Sequence, residues 1–249
     1  MSGHSKWATI KHQKGAKDAA RGKLFAKLIR QLEVAAREGG GDLEANPTLR
    51  TMYAKARAAS VPMDTIDRAI KRGMGEGEGA NYDEVVYEGY GPNGVAVMVE
   101  AMTDNRNRTA SDVRNIFTKN GGSLAEPGAV SWQFSRKGVV IAAGSASEDD
   151  VMAAALDAGA DDIVNDGDSW RVTCEPHDVE TVRVALEGAG IGVESAEATM
   201  ISSTEVPLTT AEDAKKVLRV IDALEDHDDV QNVYSNFDIP DSILETVEA

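Results

Sequence analysis

The stretch 130-VSWQFSRKGVVIAAGSASEDDVMAAALDAGADDIVNDGDSWRVTCEPHDVETVRVALEGAGIGVESAEATMI-201 alternates short apolar runs with two longer segments of helical period. The runs predict strands and the longer segments predict helices, in the order βαββαβ. The first strand is either 130–134 or 139–142. The middle strands are joined by Asn165-Asp166-Gly167-Asp168, whose Asp-Gly pair favours a tight hairpin. This order predicts a split-βαβ, ferredoxin-like unit.

The segments on either side of this unit predict elements that have no core of their own. They are strands at 85–87 and 95–102 and a helix at 110–120 before it, and a helix at 210–225 and a strand at 230–234 after it. The economical solution is one α/β domain built from both segments, with residues 135–205 inserted between them.

The first part of the chain predicts a bundle of three short helices. Apolar residues recur at helical spacing from about residue 21 to 38. Asn46 and Pro47 suit the N-cap and first position of a second helix. A third helix is expected from about Asp64 to Gly73, followed by a glycine-rich linker at 73–79.

The fold class predicted from these patterns is α+β. It consists of an N-terminal three-helix bundle followed by two α/β domains, the last of which is ferredoxin-like and inserted in the middle one. The predicted domains are residues 1–79, residues 80–134 with 206–249, and residues 135–205.

Charge is distributed unevenly along the chain. The protein carries 26 Lys and Arg against 42 Asp and Glu, a net charge of -16. Residues 1–79 hold 15 of the bases and 9 of the acids, a net charge of +6, so residues 80–249 carry -22. A basic module on an acidic body indicates a polyanionic partner that is contacted at one end only.

Aromatic and imidazole side chains accompany the N-terminal cations. Trp7, His4 and His12 lie among eight Lys and Arg in the first thirty residues. This mixture suits contacts to phosphates combined with base stacking, and a solvated basic helix is the alternative. The predicted nucleic-acid-binding residues are His4, Lys6, Trp7, Lys11, His12, Lys14, Lys17, Arg21, Lys23, Lys27, Arg30, Arg106 and Arg108.

On the first helix, Lys23, Lys27, Arg30 and Arg37 fall opposite the leucines, so we expect an outward cationic ridge. Extending this helix backwards would bury Lys14 and Lys17 without partners, at a high cost in free energy. The regular helix is therefore expected to start near residue 20, after a flexible arm.

The segment Thr103-Asp104-Asn105-Arg106-Asn107-Arg108-Thr109 lies between a predicted strand and a predicted helix. Thr109 with Asp112 resembles a capping box, which leaves two Arg and two Asn unexplained. They either contact a phosphate or carboxylate ligand or brace one domain against another, and the sequence leaves both alternatives open.

Signatures of catalysis and metal binding are missing from the sequence. It contains no P-loop, nucleophile elbow or His-Glu-x-x-His motif, so we expect no enzymatic activity, catalytic residue, metal or cofactor. The acidic run 225–229 fits a solvated turn better than a calcium loop. A single cysteine, Cys174, excludes an internal disulfide and fits a reducing compartment. Without an apolar span or signal segment, a cytoplasmic protein that does not enter membranes is expected.

Several strings of residues together resemble the YebC family. They are Gly3-His4-Ser5-Lys6-Trp7, Ile10-Lys11-His12, Arg21-Gly22-Lys23, Tyr87-Glu88-Gly89-Tyr90-Gly91-Pro92, the run 103–109 and Arg136-Lys137-Gly138. The resemblance extends over essentially the whole chain. One segment departs from it, because Ser60-Val61-Pro62-Met63-Asp64 stands where the family has Asn-Met-Pro-Lys-Asp. The missing Lys weakens a phosphate contact at this helix start.

The resemblance implies a cytoplasmic, non-enzymatic protein of three domains that binds nucleic acid and regulates gene expression. It implies a DNA-binding transcriptional regulator, or alternatively a ribosome-associated translation factor that binds ribosomal or transfer RNA. Residues 39–45 form a longer loop than the tight turn of a helix-turn-helix, so sequence-specific reading of the major groove is not expected. A monomer is the default oligomeric state.

Overall fold

The computed structural model describes residues 18–76, 81–167 and 169–248, and this part of the chain has an α+β fold. Ser131–Glu205 form one compact unit, and the described residues of Ser2–Val130 and Val206–Ala249 form the other. The sequence-predicted boundaries of the three domains stay a prediction. The predicted flexible arm and part of the predicted linker lie outside the described residues.

The elements in chain order are α1 (Asp18–Gly39), α2 (Pro47–Ala58), α3 (Met63–Gly73), β1 (Asp83–Tyr90), β2 (Ala96–Thr103), α4 (Arg106–Lys119), β3 (Ser123–Leu124), β4 (Phe134–Ala143), α5 (Glu148–Leu156), β5 (Ala160–Asn165), β6 (Ser169–Cys174), α6 (Val179–Gly188), β7 (Val193–Ser202), β8 (Val206–Pro207), α7 (Ala211–Glu225), β9 (Val230–Ser235), β10 (Phe237–Asp238) and α8 (Asp241–Glu248). Short 3₁₀ turns occupy Pro92–Gly94 and Ser131–Gln133.

The three N-terminal helices pack around a small apolar core of their own. Asn46 caps α2 as predicted, since its side-chain oxygen accepts from the Leu49 N–H at 3.0 Å. Gly73 lets α3 approach α1 closely, because a Cβ at this position would lie 2.8 Å from that of Ala36. The buried residues of this core are Leu28, Leu32, Ala35, Ala36, Leu49, Ala56, Val61, Ile66 and Ala69.

The middle sheet combines strands from both ends of the chain. Its order is β3-β1-β2-β9, and β9 from the C-terminal segment pairs antiparallel with β2. Side chains of β2, α4, α7 and β9 share one core, centred on Val97, Phe117, Ile221 and Val233. The C-terminal segment therefore completes this sheet, as the sequence predicts.

The unit Ser131–Glu205 has the predicted ferredoxin-like fold. Its four strands pair antiparallel in the order β5-β6-β4-β7. Both of its helices contribute to the core, with Val151 and Ala155 from α5 and Val182 and Leu186 from α6. The alternation of elements along this stretch was therefore sufficient to predict its topology.

The start of α4 was predicted incorrectly. The helix begins at Arg106 rather than near residue 110, and its cap is Asn105, whose side chain accepts from the Arg108 N–H at 3.1 Å. Thr109 is a buried residue inside the first turn and does not cap the helix. The two arginines therefore lie at the N-terminus of a helix and not in a loop.

Among the described helices, none combines the length and the apolar character that crossing a bilayer requires.

Candidate nucleic-acid interface

The predicted nucleic-acid-binding residues fall into two groups. His4, Lys6, Trp7, Lys11, His12, Lys14 and Lys17 lie outside the described residues, and Arg21 belongs to α1. The structure describes the side chains of the remaining five, which all lie in the same compact unit. They are Lys23, Lys27, Arg30, Arg106 and Arg108.

Two of these cations bind the C-terminal end of α7. The Lys23 ammonium donates to the backbone oxygen of Asp226 at 3.1 Å and to its carboxylate at 3.0 Å. The Lys27 ammonium donates to the backbone oxygen of Glu225 at 2.9 Å. The last carbonyls of a helix lack intrahelical donors and carry partial negative charge, so the two lysines act as a C-terminal cap for α7.

Arg30 lies on the same side of α1 as Lys23 and Lys27, about one turn after Lys27. Its guanidinium donates to the backbone oxygens of Met102 at 2.8 Å and Asp228 at 3.0 Å, and to the Asp229 carboxylate at 3.0 Å. It also lies 4.8 Å from the centre of the Tyr82 ring. Its side chain is only 17% exposed. A phosphate could reach this guanidinium only by displacing protein groups.

Asp229 is the centre of a buried polar cluster. Its carboxylate accepts from the Thr109 hydroxyl at 2.6 Å and from the Arg108 guanidinium at 2.9 Å, in addition to Arg30. The Thr109 hydroxyl also lies 2.7 Å from that of Thr103. We call Asp229, Arg30, Arg108, Thr109 and Thr103 the Asp229 cluster.

The cluster stabilises the ionised form of Asp229. Burial opposes ionisation of this carboxylate, but the hydrogen bonds from Thr109 and Arg108 and the charge of Arg30 outweigh it, so its pKa lies below the ordinary value. The Asp229 carboxylate therefore engages the guanidinium groups of Arg30 and Arg108, two of the residues predicted to bind nucleic acid.

The second arginine of the run, Arg106, is more exposed. Its guanidinium lies 3.6 Å from the Asp83 carboxylate, with both side chains more than 60% exposed. Exposed pairs of this kind contribute little to stability. Arg106 is therefore the one member of the described group whose guanidinium faces mainly solvent.

The outward cationic ridge predicted on α1 is wrong for Lys23, Lys27 and Arg30, whereas its fourth member, Arg37, is exposed. Lys23, Lys27 and Arg30 face the acidic run 225–229, because α1 buries one side against α2 and α3 and a second side against the end of α7 and the start of β9. The same run was predicted to be a solvated turn, which is wrong for Asp229, since only 4% of this residue is exposed. For Arg108, the geometry is that of internal bracing.

Two motifs singled out in the sequence have structural roles. In 87–92, Glu88 is buried and its carboxylate accepts from the N–H groups of Gly128 and Val130, both at 2.7 Å. A Cβ at Gly89 would lie 2.8 Å from the Phe117 ring, so only glycine admits this core side chain.

In 136–138, Lys137 forms ion pairs with Asp161, at 2.9 Å, and with Glu175. A Cβ at Gly138 would lie 2.6 Å from the Cys174 sulfur. Both glycines are thus required by packing and give no indication of a ligand.

Sequence reasoning missed a group of exposed cations on α2. Arg50, Lys55 and Arg57 are exposed, and no ion pair of theirs occurs within the described ranges. A signal was present, since the twelve residues of α2 contain no acid in a chain with 42 Asp and Glu. No grouping of metal-ligating side chains occurs in the part of the chain that the structure describes.

Comparison with known proteins matches both parts of the chain. The family model of the TACO1/YebC N-terminal domain matches residues 5–76, and the model of the TACO1/YebC second and third domain matches residues 82–237. The chain is 58% identical over 246 residues to a probable transcriptional regulatory protein of Salinispora arenicola, with 98% of each chain covered. It is 58% identical over 251 residues to one of Streptomyces coelicolor, with 100% of each covered.

A solved structure has the same fold. The crystal structure of a conserved hypothetical protein from Aquifex aeolicus matches with a TM-score of 0.78 and 46% identity, covering 93% of this chain and 97% of that one. Matches at this identity over nearly the whole length, together with both family models, establish the relationship. The chain therefore belongs to the TACO1/YebC family.

Proposed function

We propose that the protein is a non-enzymatic, nucleic-acid-binding regulator of gene expression. The observation that carries this proposal is the charge division, with a net charge of +6 in residues 1–79 and -22 in the rest. An acidic body is repelled by a polyanion, so binding is expected mainly at the basic end. The printed names of the relatives, probable transcriptional regulatory proteins, agree with a role in gene expression.

Within this proposal, the contacts to phosphate and base are made first by the N-terminal residues His4, Lys6, Trp7, Lys11, His12, Lys14, Lys17 and Arg21. Lys23, Lys27, Arg30 and Arg108 serve mainly to hold the helices on the middle sheet, because their donors are occupied by Asp226, Asp229 and backbone oxygens. Arg106, whose guanidinium faces mainly solvent, remains a contact residue.

The transcriptional version of the proposal requires reading of DNA. Only four residues separate the end of α2 at Ala58 from the start of α3 at Met63, a spacing compatible with a helix-turn-helix. However, the exposed start of α3 carries Asp64 and Asp67, and Arg68 donates to Asp64 at 2.8 Å. Two carboxylates at the start of a recognition helix would face phosphates, which argues against insertion of α3 into the major groove.

The two carboxylates at the start of α3 favour a second candidate function. In it, the protein is a cytoplasmic, ribosome-associated translation factor that binds ribosomal or transfer RNA. RNA is recognised mainly by shape, by stacking on unpaired bases and through its 2′-hydroxyls, none of which needs a recognition helix. The N-terminal mixture of Trp7, His4, His12 and lysines suits this mode of binding.

The test compares the full-length protein with a variant in which Lys11, Lys14 and Lys17 are changed to Glu. Binding to random duplex DNA, to a candidate promoter and to purified ribosomes is measured across a salt series. The proposal predicts binding that weakens with salt and is lost in the variant. Preference for a promoter by ~10³-fold or more over random DNA supports the transcriptional version, and ribosome co-sedimentation without that preference supports the translational one. If the variant bound DNA and ribosomes as tightly as the wild type across the salt series, the proposal would be contradicted.

A further inference from the structure

The exposed face of α2 has an arrangement of charges that no contact among residues 18–76, 81–167 and 169–248 explains. Arg50 and Arg57 lie seven residues apart and therefore share one edge of the helix, and Lys55 lies on the other edge. Thr51, Ala54 and Ala58 lie between these two edges, at spacings of three and four residues. All three are exposed, and their side chains are small. The face is a flat row of small residues with cations along both sides.

The cations of α2 can bind a ligand without breaking contacts to described residues, unlike Lys23, Lys27 and Arg30 of α1. Lys23, Lys27 and Arg30 bind the end of α7 and the Asp229 cluster. For Arg50, Lys55 and Arg57, by contrast, the structure gives no side-chain hydrogen bond or ion pair within residues 18–76, 81–167 and 169–248. No acid on α2 competes for them. Three unpaired cations on one face favour a polyanion as the occupant.

We propose that the exposed face of α2 binds the shallow minor groove of an RNA duplex. The inference rests on the proposed function and adds to it a second contact surface with a defined ligand. A helix with its side chains is about 10 Å across, whereas the minor groove of B-DNA is only about 6 Å wide. The minor groove of A-form RNA is wide and shallow, so a helix with small central residues can lie on it while cations on its two edges reach the flanking phosphates.

The DNA major groove is wide enough for α2, but it fits the central row poorly. Reading base edges there relies mainly on side chains that donate or accept hydrogen bonds, whereas Ala54 and Ala58 offer only an apolar contact to a thymine methyl. Thr51 suits RNA better. Its hydroxyl donates to the Pro47 backbone oxygen at 3.0 Å, which leaves an outward acceptor lone pair for a ribose 2′-hydroxyl.

The experiment measures binding of the full-length protein to a short RNA duplex and to a DNA duplex of the same sequence, by fluorescence anisotropy across a KCl series. The test variant is Arg50→Gln/Lys55→Gln/Arg57→Gln, in which Gln preserves helix propensity. The matched control, Arg114→Gln/Lys215→Gln/Arg219→Gln, removes the same charge from exposed positions on α4 and α7. Thermal unfolding of both variants checks that the fold is retained.

The expected result is tighter binding of the RNA duplex than of the DNA duplex, with a loss of roughly tenfold or more in the α2 variant only. The log-log salt slope should become shallower by about 2 to 3, because each phosphate contact contributes roughly 0.9 on a duplex. RNA binding that the α2 variant retains would overturn the inference, as would equal or tighter binding of the DNA duplex.

The inference and the proposed function fail in different ways. If Lys11→Glu/Lys14→Glu/Lys17→Glu abolishes binding while the α2 variant binds as wild type, the inference is wrong and the proposed function stands. If the wild-type protein binds neither duplex nor ribosomes at any salt concentration, both are wrong.

Discussion

Arg30 on α1 lies 3.0 Å from the carboxylate of Asp229, a residue 199 positions further along the chain. Asp229 in turn accepts from Arg108 and Thr109 in the first turn of α4. One carboxylate therefore connects the helical bundle to the middle sheet. The two arginines that pair with it, Arg30 and Arg108, were among the residues predicted to bind nucleic acid.

Replacing Asp229 with Ala is expected to destabilise the protein by about 3 kcal/mol, because Arg30 is left largely buried without its counter-ion. Urea unfolding at neutral pH measures the change. Asp228→Ala is the control, since the Asp228 side chain is exposed and only its backbone oxygen contacts Arg30. Equal stability of the two variants would show that the cluster contributes little.

The same residue predicts a dependence of stability on pH. Because the pKa of Asp229 lies below its ordinary value of 3.8, the ionised carboxylate stabilises the fold above that value. This stabilisation is lost as pH falls through the lowered pKa of the folded state. The difference in free energy of unfolding between wild type and Asp229→Asn should therefore shrink below about pH 4. A difference that stays constant down to strongly acidic pH would refute this assignment.

Gly138→Ala is expected to destabilise the unit Ser131–Glu205 by about 1 to 3 kcal/mol, since the added methyl overlaps the Cys174 sulfur and the Val179 side chain. Gly188→Ala, in α6 of the same unit, is the matched control. A Cβ at Gly188 meets no atom within 4 Å, so this change should be neutral or stabilising. Thermal unfolding is measured for both variants. A loss of stability in Gly138→Ala alone shows that the overlap at this position is the cause, whereas an equal loss in both shows that the unit does not tolerate alanine at glycine positions in general.

Cys174 is expected to be unreactive in the native protein. It is fully buried, and burial together with the charge of Asp178 raises the pKa of its thiol, so little thiolate is present. A thiol reagent at mildly alkaline pH should modify it slowly, and rapidly once urea is added. Ser145→Cys supplies an exposed thiol as a control for reagent activity. Rapid modification without denaturant would mean that this core opens readily.

Most of the fold could be predicted because the spacing of apolar residues along the sequence differs between helices and strands, and because turn and cap residues mark where these elements begin and end. The βαββαβ order and the Asp166-Gly167 turn were sufficient for the ferredoxin-like unit, and Asn46-Pro47 marked the start of α2. The short strands β3, β8 and β10 were not predicted, because two-residue strands have no detectable period.

The candidate site was harder to predict because its contacts are not local. Lys23, Lys27 and Arg30 look solvent-facing on a helical wheel, which cannot show that the second side of α1 packs against protein. Their partners lie in the run 225–229, about 200 positions away. The complementary charges of the two segments were present in the sequence, but only the fold brings them together.

Binding of nucleic acid through the basic end of the chain can be tested by crosslinking in living cells. The full-length protein is irradiated in place, purified under denaturing conditions, and its bound nucleic acid is sequenced. We expect recovery of nucleic acid, mostly structured RNA, well above the background of an unrelated acidic protein, and loss of this recovery when Lys11, Lys14 and Lys17 are changed to Glu. Recovery at background level, or undiminished recovery with the Glu variant, would contradict it.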